Sequence, residues 1–586
     1  MKTKDIDHRD QATPYSCGNC PTERSGSGGL KRRMFMPALG AALGLVDLPG
    51  RGSGEPGHGA PGDGSNYAGG AIVLSGVKAV VETSAGKIRG FTRNGIHTFL
   101  GVPYGDSTEG AARFMPPAKP APWTGVRSTL AWGPVCPQTA PGPGSDEELF
   151  LFAPDDGRPG EDCLRLNVWT PALKDGRKRP VMVWLHGGGF SIGSAQQEHF
   201  YDGENLSRRG DVVVVSVNHR LGALGFLNLT QVGGAKYAGS ANTGMLDLVA
   251  ALEWVRDNIA NFGGDPGCVS IFGQSGGGGK VGCLMAMPSA KGLFHRAIVQ
   301  SGSSLRVGTM EDSARLAAAV LVELGLGASR LDEIQTLPAA RLVDAGAAAL
   351  RKLDGAPGSP AARSQRSGWG PVVDGLFLPS HPFDPVAPSL SAHVPMIIGT
   401  VMNESSPSAF NAKLEPLTEE ELKTRVADRF GGRGGRIIEA YRRAHPHAKP
   451  VELLSLISSP RTDAVTQAER KAALAAAPAY VYWFCWHTPA LDGRPRALHG
   501  SEIPFVFDDA HTYGANMTGG GLEARALAAR MSDAWIAFSR TGNPNHKGLP
   551  MWPAFTAGKG ETMIFDDKCE VKEDPDREER QILTGV

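Results

Sequence analysis

Hydrophobic and polar positions alternate in short runs near the start of the main body of the chain, and the pattern then changes. The alternation at 87–91 and 98–102 predicts an opening pair of antiparallel strands. Further on, the apolar positions become continuous, as strands buried on both faces of a sheet require. These continuous runs lie at 181–185, 212–217, 269–272, 297–299 and 395–398.

Stretches with helical periodicity separate several of these strands. The clearest lies at 245–259, where apolar residues recur at helical spacing after Asn242-Thr243-Gly244. Strands that alternate with helices predict an α/β protein with a doubly wound, mostly parallel central sheet. Helical patterns at 311–365 and 417–445 predict a second, helical lobe beside that sheet.

The composition is that of a large globular protein whose partner is a small molecule. The chain has 586 residues, of which 41% are hydrophobic and 20% charged, so it can bury a large core. Its 60 basic residues balance 60 acidic ones, and no basic cluster is interleaved with aromatic residues. A nucleic acid or an anionic membrane is therefore not an expected partner.

The first 70 residues differ from the rest, and we interpret them as a leader. The twin arginine Arg32-Arg33 precedes a short apolar stretch that ends at Val46. This order resembles a bacterial twin-arginine export signal, and the stretch is too short to span a bilayer. The sequence thus predicts a leader at 1–70, a folded domain at 71–586, and an exported protein without a transmembrane segment. A cytoplasmic protein with a disordered basic tail is the alternative.

The eight cysteines do not form a dense disulfide framework. Cys17 and Cys20 lie in the leader, where the composition supplies no packed scaffold for a metal or redox site. Cys136 and Cys163 enclose a loop rich in Gly, Pro and acidic residues. A disulfide between them would suit an exported protein.

The sequence Gly273-Gln274-Ser275-Gly276-Gly277 follows one of the buried strands and places Ser275 at a strand-to-helix turn. Glycines on both sides of such a serine let strand and helix approach closely enough to expose the hydroxyl. With 77 glycines in the chain, a chance match is expected on the order of once. The neighbouring motifs therefore decide whether Ser275 is a nucleophile.

Three further segments supply the other groups that a serine hydrolase needs. The strand at 181–185 runs into His186-Gly187-Gly188-Gly189-Phe190, whose free backbone amides would stabilise an oxyanion together with the amide of Gly276. Glu404 follows the strand at 395–398 and is the candidate acid, with Asp374 as its alternative. His499 is the candidate base; the other histidines after Glu404 are His445, His447, His487, His511 and His546.

Several ordered blocks of the sequence resemble the type-B carboxylesterase and lipase family, which includes the cholinesterases. The resemblance covers about 78–567 and indicates a bacterial member. Its blocks are FGQSGG at 272–277, EDCLRLNV at 161–168, NHRLG at 218–222, GFL at 225–227, NFGGDP at 261–266, PVVDG at 371–375, HG at 499–500, EIP at 502–504 and GNPN at 542–545.

The resemblance implies an α/β-hydrolase fold and a serine esterase that needs no metal or cofactor. Position by position, it implies Ser275 as nucleophile, Glu404 as triad acid and His499 as base. It also implies an oxyanion hole of Gly188, Gly189 and Gly276, and a disulfide between Cys136 and Cys163.

The chain departs from the family pattern close to the catalytic residues. Gln274 stands where glutamate is usual, Gly276 replaces the common alanine, and Asn403 and Ser405 flank Glu404 in place of aspartate and glycine. No tryptophan lies between Cys136 and Cys163, where cholinesterases seat a quaternary ammonium group. A choline ester is therefore not the expected substrate.

These observations predict a serine hydrolase that cleaves small-molecule carboxylic esters through an acyl-enzyme. An amidase, a lactonase or a specialised detoxifying esterase could use the same residues, because selectivity depends on the shape of the pocket. A noncatalytic binding protein is a further alternative, since the family contains adhesion proteins that lack the triad. The sequence leaves the oligomeric state open.

Overall fold

The computed structural model describes residues 72–139, 144–354 and 368–585. Its strands are β1 (Val80–Thr83), β2 (Gly86–Arg89), β3 (Phe91–Arg93), β4 (Ile96–Pro103), β5 (Val126–Ser128), β6 (Arg165–Thr170), β7 (Arg179–Leu185), β8 (Val213–Val217), β9 (Gly264–Gln274), β10 (Arg296–Gln300), β11 (Gly308–Thr309), β12 (Val372–Val373), β13 (Met396–Val401), β14 (Ala479–Phe484), β15 (Glu561–Phe565) and β16 (Glu570–Glu573).

The helices of the described ranges lie between these strands and after them. They are α1 (Asp146–Leu151), α2 (Glu204–Gly210), α3 (Gly222–Phe226), α4 (Thr230–Gly233), α5 (Thr243–Asn258), α6 (Gly276–Ala286), α7 (Met310–Leu324), α8 (Ala339–Asp354), α9 (Glu419–Phe430), α10 (Gly434–Ala444), α11 (Pro450–Ile457), α12 (Thr462–Ala473), α13 (Ile503–Val506), α14 (Ala515–Thr518), α15 (Leu522–Thr541) and α16 (Arg577–Thr584). Short 3-10 helices, such as Pro288–Ala290, connect some of them.

One large sheet organises the described part of the chain. Its eleven strands follow the order β16-β15-β14-β13-β10-β9-β7-β8-β6-β4-β3. The strands from β15 to β8 in that order run parallel to their neighbours. Antiparallel strands close both edges. The predicted α/β-hydrolase fold with a mostly parallel sheet is confirmed.

The central strands are buried on both faces, as their continuous apolar runs predict. In β7, Val181 and Val183 face a core that α5 and α6 cover. Met182 and Trp184, which alternate with them, face a second core that includes side chains of α15. Because the strands are parallel, the loops after β7, β9 and β13 emerge at one edge of the sheet.

The opening strands differ from the prediction. Residues 87–91 do not form a single strand opposite 98–102, because the chain passes from one sheet to another at Gly90. Strand β2 pairs with β1 in a small separate sheet, whereas β3 pairs with β4 in the large one. A Cβ at Gly90 would lie 2.1 Å from the carbonyl oxygen of Thr98, so only glycine permits this crossing.

The helical part beside the sheet consists of two clusters, each with its own core. Helices α7 and α8 pack on a cluster that includes Leu221 and Tyr237. Helices α9, α10 and α11 enclose another cluster around Leu422 and Ile437. The helices predicted at 311–365 and 417–445 are therefore present in their described parts, but they do not share one core.

The predicted disulfide between Cys136 and Cys163 is absent from the structure, where both residues are buried free thiols. The neighbouring Cys136 side chain, together with burial, holds the pKa of Cys163 well above its usual range. The leader at 1–70, with Cys17 and Cys20, lies outside the described residues. Its boundary with the folded domain stays a prediction.

Candidate active site

Ser275 lies at the sharp turn between β9 and α6, where the sequence places it. Its backbone has φ 56° and ψ −124°, which is strained for a residue with a side chain. The backbone amide of Ser275 donates to the carbonyl of Gln300 at 2.8 Å, which ties the turn to β10. Glycine is needed on both sides, since a Cβ at Gly273 or Gly277 would lie 2.6 Å or 2.0 Å from the carbonyl oxygen of Leu185.

The glycine-rich loop after β7 packs directly against this turn. Gly188 and Gly189 both have positive φ, at 77° and 64°. A Cβ at Gly276 would lie 2.2 Å from the carbonyl oxygen of Gly189, so the two segments touch through their backbones. The amides of Gly188 and Gly189 donate to no acceptor among the described residues. The loop therefore offers free N–H groups beside Ser275.

His499 and Glu404 lie together at the same edge of the sheet. His499 Nδ1 is 2.5 Å from Glu404 Oε2, and the backbone amide of Val401 donates to Glu404 Oε1 at 3.1 Å. The His499 side chain is 41% exposed and that of Glu404 is 19% exposed, so the imidazole is open to an approaching molecule. A carboxylate on Nδ1 leaves Nε2 free to accept a proton.

The surroundings of His499 favour its charged form. Burial lowers the pKa of His499, but the hydrogen bond and charge of Glu404 and the charge of Glu502 raise it more. The pKa of His499 is therefore above its usual value. An imidazole that bears a proton transiently during a reaction would be stabilised by this environment.

The imidazole contacts a residue that the sequence analysis did not assign to the base. His499 Nε2 lies 3.1 Å from Nε2 of Gln274, the residue directly before Ser275. With Nδ1–H donating to Glu404, neutral His499 accepts from the Gln274 amide. Among the described residues, no hydrogen bond joins Ser275 Oγ to His499. Such bonds are often formed only when substrate binds.

The alternative acid and the alternative bases lie elsewhere. Asp374 accepts hydrogen bonds from the backbone amides of 376–378 and from the side chain of Asn242, so it organises a loop. His445 is 3.8 Å from Glu579, and His546 lies 3.0 Å from the carbonyl of Arg530. The structure thus brings Glu404, rather than Asp374, against His499.

Asn403, which departs from the family pattern, connects the loops of the acid and the base. Its backbone amide donates to the carbonyl of Ala497 at 3.0 Å, and its side chain accepts from the Ala497 amide at 3.3 Å. Asn403 Nδ2 also donates to Ser455 Oγ at 2.8 Å. These bonds fix the separation between Glu404 and His499.

Glu502 lies behind the imidazole and was also missed by the sequence analysis. Its side chain is fully buried, and among the described residues one of its oxygens accepts only a long bond of 3.4 Å from Gln300. Burial and the charge of Glu404 raise the pKa of Glu502 to about 7. The signal was present in the sequence, since Glu502 stands in the Glu-Ile-Pro block beside His499, but nothing there indicated its burial.

One cavity is lined by His499 and Glu404, and a second lies beside Phe190. The first, of about 400 Å³, is lined by His499, Glu404, Asp463 and the hydroxyls of Ser301, Ser303 and Thr400, together with Pro460 and Ala464. The second, of about 500 Å³, has aromatic walls formed by Phe190, Phe226 and Trp369. Phe190 directly follows the glycine-rich loop. Across the described ranges, no cluster of three His, Cys, Asp or Glu side chains is arranged to hold a metal ion.

The arrangement of a strained serine, a carboxylate-bound imidazole and free loop amides agrees with comparisons to known proteins. A sequence model of the carboxylesterase family matches residues 77–583. The chain belongs to the carboxylesterase family. It is accordingly a carboxylic ester hydrolase with the α/β-hydrolase fold.

Characterised carboxylesterase relatives cover most of the chain. The para-nitrobenzyl esterase of Bacillus subtilis is 36% identical over 519 residues, which are 86% of this chain and 98% of that protein. The phenmedipham hydrolase of Pseudarthrobacter oxydans is 33% identical and covers 84% of this chain and 96% of its own length.

Solved structures agree with the fold. An esterase from Clostridium hathewayi, described as able to hydrolyse aliphatic aromatic polyesters, superposes with a TM-score of 0.76 at 37% identity and covers 88% of this chain and 100% of its own. A carboxylesterase of Geobacillus stearothermophilus superposes with a TM-score of 0.72 at 35% identity and covers 86% and 100%. None of the described helices of this carboxylesterase has both the length and the apolarity needed to cross a membrane.

Proposed function

We propose that this carboxylesterase cleaves small-molecule esters with Ser275 as nucleophile, His499 as general base and Glu404 as the acid that orients the base. The observation that carries the proposal is the 2.5 Å contact of Glu404 with His499 Nδ1, beside the strained turn of Ser275. The three residues come from the loops after β9, β13 and β14, which meet at one edge of the sheet.

The first half of the reaction acylates Ser275. His499 Nε2 takes the hydroxyl proton while Ser275 Oγ attacks the ester carbon, and the carbonyl oxygen becomes an oxyanion. The amides of Gly188, Gly189 and Gly276 hold that oxyanion. The imidazolium then gives its proton to the leaving alcohol as the carbon–oxygen bond breaks, and the acyl group stays on Ser275.

The second half repeats these steps with water as the nucleophile. His499 takes a proton from water, the hydroxide attacks the acyl carbon, and a second oxyanion forms in the same place. Collapse of this intermediate returns the proton to Ser275 Oγ and releases the acid. Glu404 stays ionised and holds the Nδ1–H tautomer of His499 throughout.

Gln274 gives the base a partner in the resting enzyme. Its amide donates to His499 Nε2 at 3.1 Å, the atom that must accept the Ser275 proton. When substrate binds, His499 Nε2 would therefore exchange its hydrogen bond with Gln274 for one with Ser275 Oγ.

The aromatic side of the cavity beside Phe190 is the observation that supports an apolar or aromatic group on the substrate, while Arg306, Asp312 and Arg315 line other parts of the same cavity. Its aromatic walls are Phe190, Phe226 and Trp369, and its volume of about 500 Å³ lies in the range of small-molecule sites. Ser304 also lines it, and a Cβ at Gly279, one turn after Ser275, would lie 3.1 Å from Ser304 Oγ. The relatives named for para-nitrobenzyl and phenmedipham substrates are consistent with such a group.

The deciding experiment measures turnover of p-nitrophenyl esters of increasing acyl length by the wild type and by Ser275→Ala. We expect Ser275→Ala to lose about 10⁴-fold or more of kcat on every ester that the wild type cleaves. Ser289→Ala, an exposed serine on the short helix after α6, is the control and should retain full turnover. Unchanged hydrolysis by Ser275→Ala would refute the proposal.

Export through the leader remains part of the proposal, with the twin arginine Arg32-Arg33 as its support. Cell fractionation of the wild type and of Arg32→Lys/Arg33→Lys would decide it, because export should fail in the variant. In an oxidising compartment the neighbouring thiols of Cys136 and Cys163 would form the disulfide that the resemblance implies. Thiol labelling of the exported protein tests that bond.

A further inference from the structure

Lys280 is a buried cation on the helix that begins at the nucleophile. It lies on α6, five residues after Ser275, and its side chain is 0% exposed. No carboxylate of the described ranges forms an ion pair with it, and burial lowers the pKa of Lys280 to about 7. An unpaired ammonium in the interior is costly, so an apolar side chain of similar length would be the more stable choice.

The contacts of Lys280 lie at the two ends of the glycine-rich loop. Its Nζ donates to the carbonyl oxygen of His186 at 2.8 Å. It also lies 5.8 Å from the centre of the Phe190 ring, within the range of a cation–π interaction. His186 directly precedes Gly187, Gly188 and Gly189, and Phe190 directly follows them. One side chain of the nucleophile helix therefore contacts the loop at both of its ends.

The groups around the ammonium provide no compensating negative charge. The rings of His186 and His219 stack with centroids 5.2 Å apart, and the Nδ1 atom of each lies next to a backbone carbonyl. Both Nε2 atoms are buried and have no hydrogen-bond partner among the residues that the structure describes. Burial and the charge of Lys280 hold the pKa of both imidazoles well below the usual value, so both are neutral.

The loop itself has little intrinsic preference for one conformation. Gly188 and Gly189 have positive φ, and consecutive glycines have many accessible backbone states. Oxyanion stabilisation depends on amides that are already fixed before the reaction, because reorganisation then costs nothing. An anchor from the helix of the nucleophile to the ends of the loop would provide that rigidity.

We propose that Lys280 is a positioning residue for the oxyanion hole: by holding the His186 carbonyl and the Phe190 ring, it directs the amides of Gly188 and Gly189 toward the carbonyl that Ser275 attacks. The inference rests on the proposed roles of Ser275 and the loop glycines. It assigns a function to a buried lysine that folding alone does not explain.

The test replaces Lys280 by Met, which keeps most of the volume but removes the donor and the charge. We expect kcat for a p-nitrophenyl ester to fall about 10- to 100-fold while KM changes by less than about 3-fold. The affinity for a trifluoromethyl ketone should fall by the same factor as kcat/KM. Ser275 Oγ adds to the carbonyl carbon of this inhibitor, and the hydroxyl proton passes to His499. The carbonyl oxygen becomes an oxyanion that occupies the oxyanion hole.

Lys471 provides a matched control. It lies on α12, is 1% exposed, and donates to the carbonyl oxygens of Ser391 and Ala392 at 3.3 Å and 2.7 Å. Lys471→Met therefore removes a similar buried donor that does not contact the loop. It should leave kcat and inhibitor affinity unchanged. Lys280→Gln, which keeps an N–H donor, should lose less of kcat than Lys280→Met.

Several outcomes would overturn the inference. They are an unchanged kcat in folded Lys280→Met, a loss of kcat without loss of inhibitor affinity, or an equal loss in Lys471→Met. If Lys280→Met does not fold, the same two measurements on Lys280→Leu, which also lacks the donor and the charge, decide the question. Ser275→Ala is measured in parallel: turnover that persists there refutes the proposed function, whereas its loss beside a normal Lys280→Met refutes only the role of Lys280.

Discussion

Arg220 and Lys280 are both fully buried cations near the edge of the sheet where the catalytic loops meet, but only Arg220 has a carboxylate partner. Arg220 donates to both oxygens of Asp247, at 2.8 Å and 2.6 Å. Within the described ranges, Lys280 donates only to a backbone carbonyl. The buried charge of Arg220 is thus neutralised by a carboxylate, whereas the buried charge of Lys280, beside the glycine-rich loop, is not.

This difference indicates which buried charges maintain the structure and which cost stability. A paired charge becomes strongly destabilising when its partner is removed. An unpaired charge destabilises the native state from the start, and proteins usually carry such groups where function requires them. Glu502, buried behind His499 with one unpartnered oxygen, is a second example at the same edge.

Removal of the partner of Arg220 should have the largest effect on stability. Asp247→Asn leaves the Arg220 guanidinium buried without a counter-charge, and we expect it to lower the free energy of unfolding by about 3–5 kcal/mol. Urea titration followed by circular dichroism measures this change. Glu333→Gln breaks the exposed pair of Arg330 and Glu333 and should leave stability unchanged. A stable Asp247→Asn protein would remove the contrast between matched and unmatched charge.

Glu502→Gln should change the free energy of unfolding in the opposite direction and stabilise the protein. The pKa of Glu502 is raised to about 7 in the folded protein, above its value of 4.5 in a free side chain. Native Glu502 is therefore penalised progressively as pH rises from about 4.5 to 7. Glu502→Gln should be more stable than the wild type by up to about 3 kcal/mol near pH 8.

That gain should shrink toward zero as the pH falls below about 4, where Glu502 is largely protonated in both the folded and the unfolded state. The pH dependence is thus the internal control for the loss of the hydrogen bond from Gln300. Unfolding free energies measured across this range provide the test. A difference between the two proteins that does not vary with pH would mean that the buried carboxyl carries no unpaired charge.

The smallest expected effect is on the pH dependence of kcat/KM, and it follows from the contact between Gln274 and His499. Neutral His499 is the base, and its pKa is already raised, so kcat/KM should increase with pH through a value above the usual one for histidine. Gln274→Glu places a carboxylate 3.1 Å from Nε2 and stabilises the imidazolium. The rising limb of the pH profile should move to higher pH by about 1 unit. Gln581→Glu, an exposed change on α16, should leave the profile unmoved, and an unmoved profile in Gln274→Glu would contradict the resting contact.

The sequence predicted what depends on local pattern and on motifs. Continuous apolar runs gave the central strands, and the glycines around Ser275 gave the turn, because close backbone contact there excludes a Cβ. The division of 87–91 between two sheets depends on the close contact of Gly90 with the backbone of Thr98. No pattern of residue types in the sequence indicates that contact.

The contacts within the site could not be predicted for the same reason. The bond between Gln274 and His499 joins residues that are 225 positions apart, and only the folded chain brings them together. In the sequence, Lys280 cannot be distinguished from an exposed helical lysine. Its burial and its bond to His186 are visible only in the folded chain. The disulfide expected between Cys136 and Cys163 forms only in an oxidising environment. The residue types alone do not determine which environment the protein occupies.

The most direct test of the proposed chemistry identifies the residue that becomes covalently modified. The wild type is treated with diethyl p-nitrophenyl phosphate, which phosphorylates a reactive serine, and the modified peptide is mapped by mass spectrometry. We predict one diethylphosphoryl group on Ser275, gained in proportion to the loss of esterase activity, and no label in Ser275→Ala. Inactivation that labels another residue, while Ser275 stays unmodified, would contradict the account.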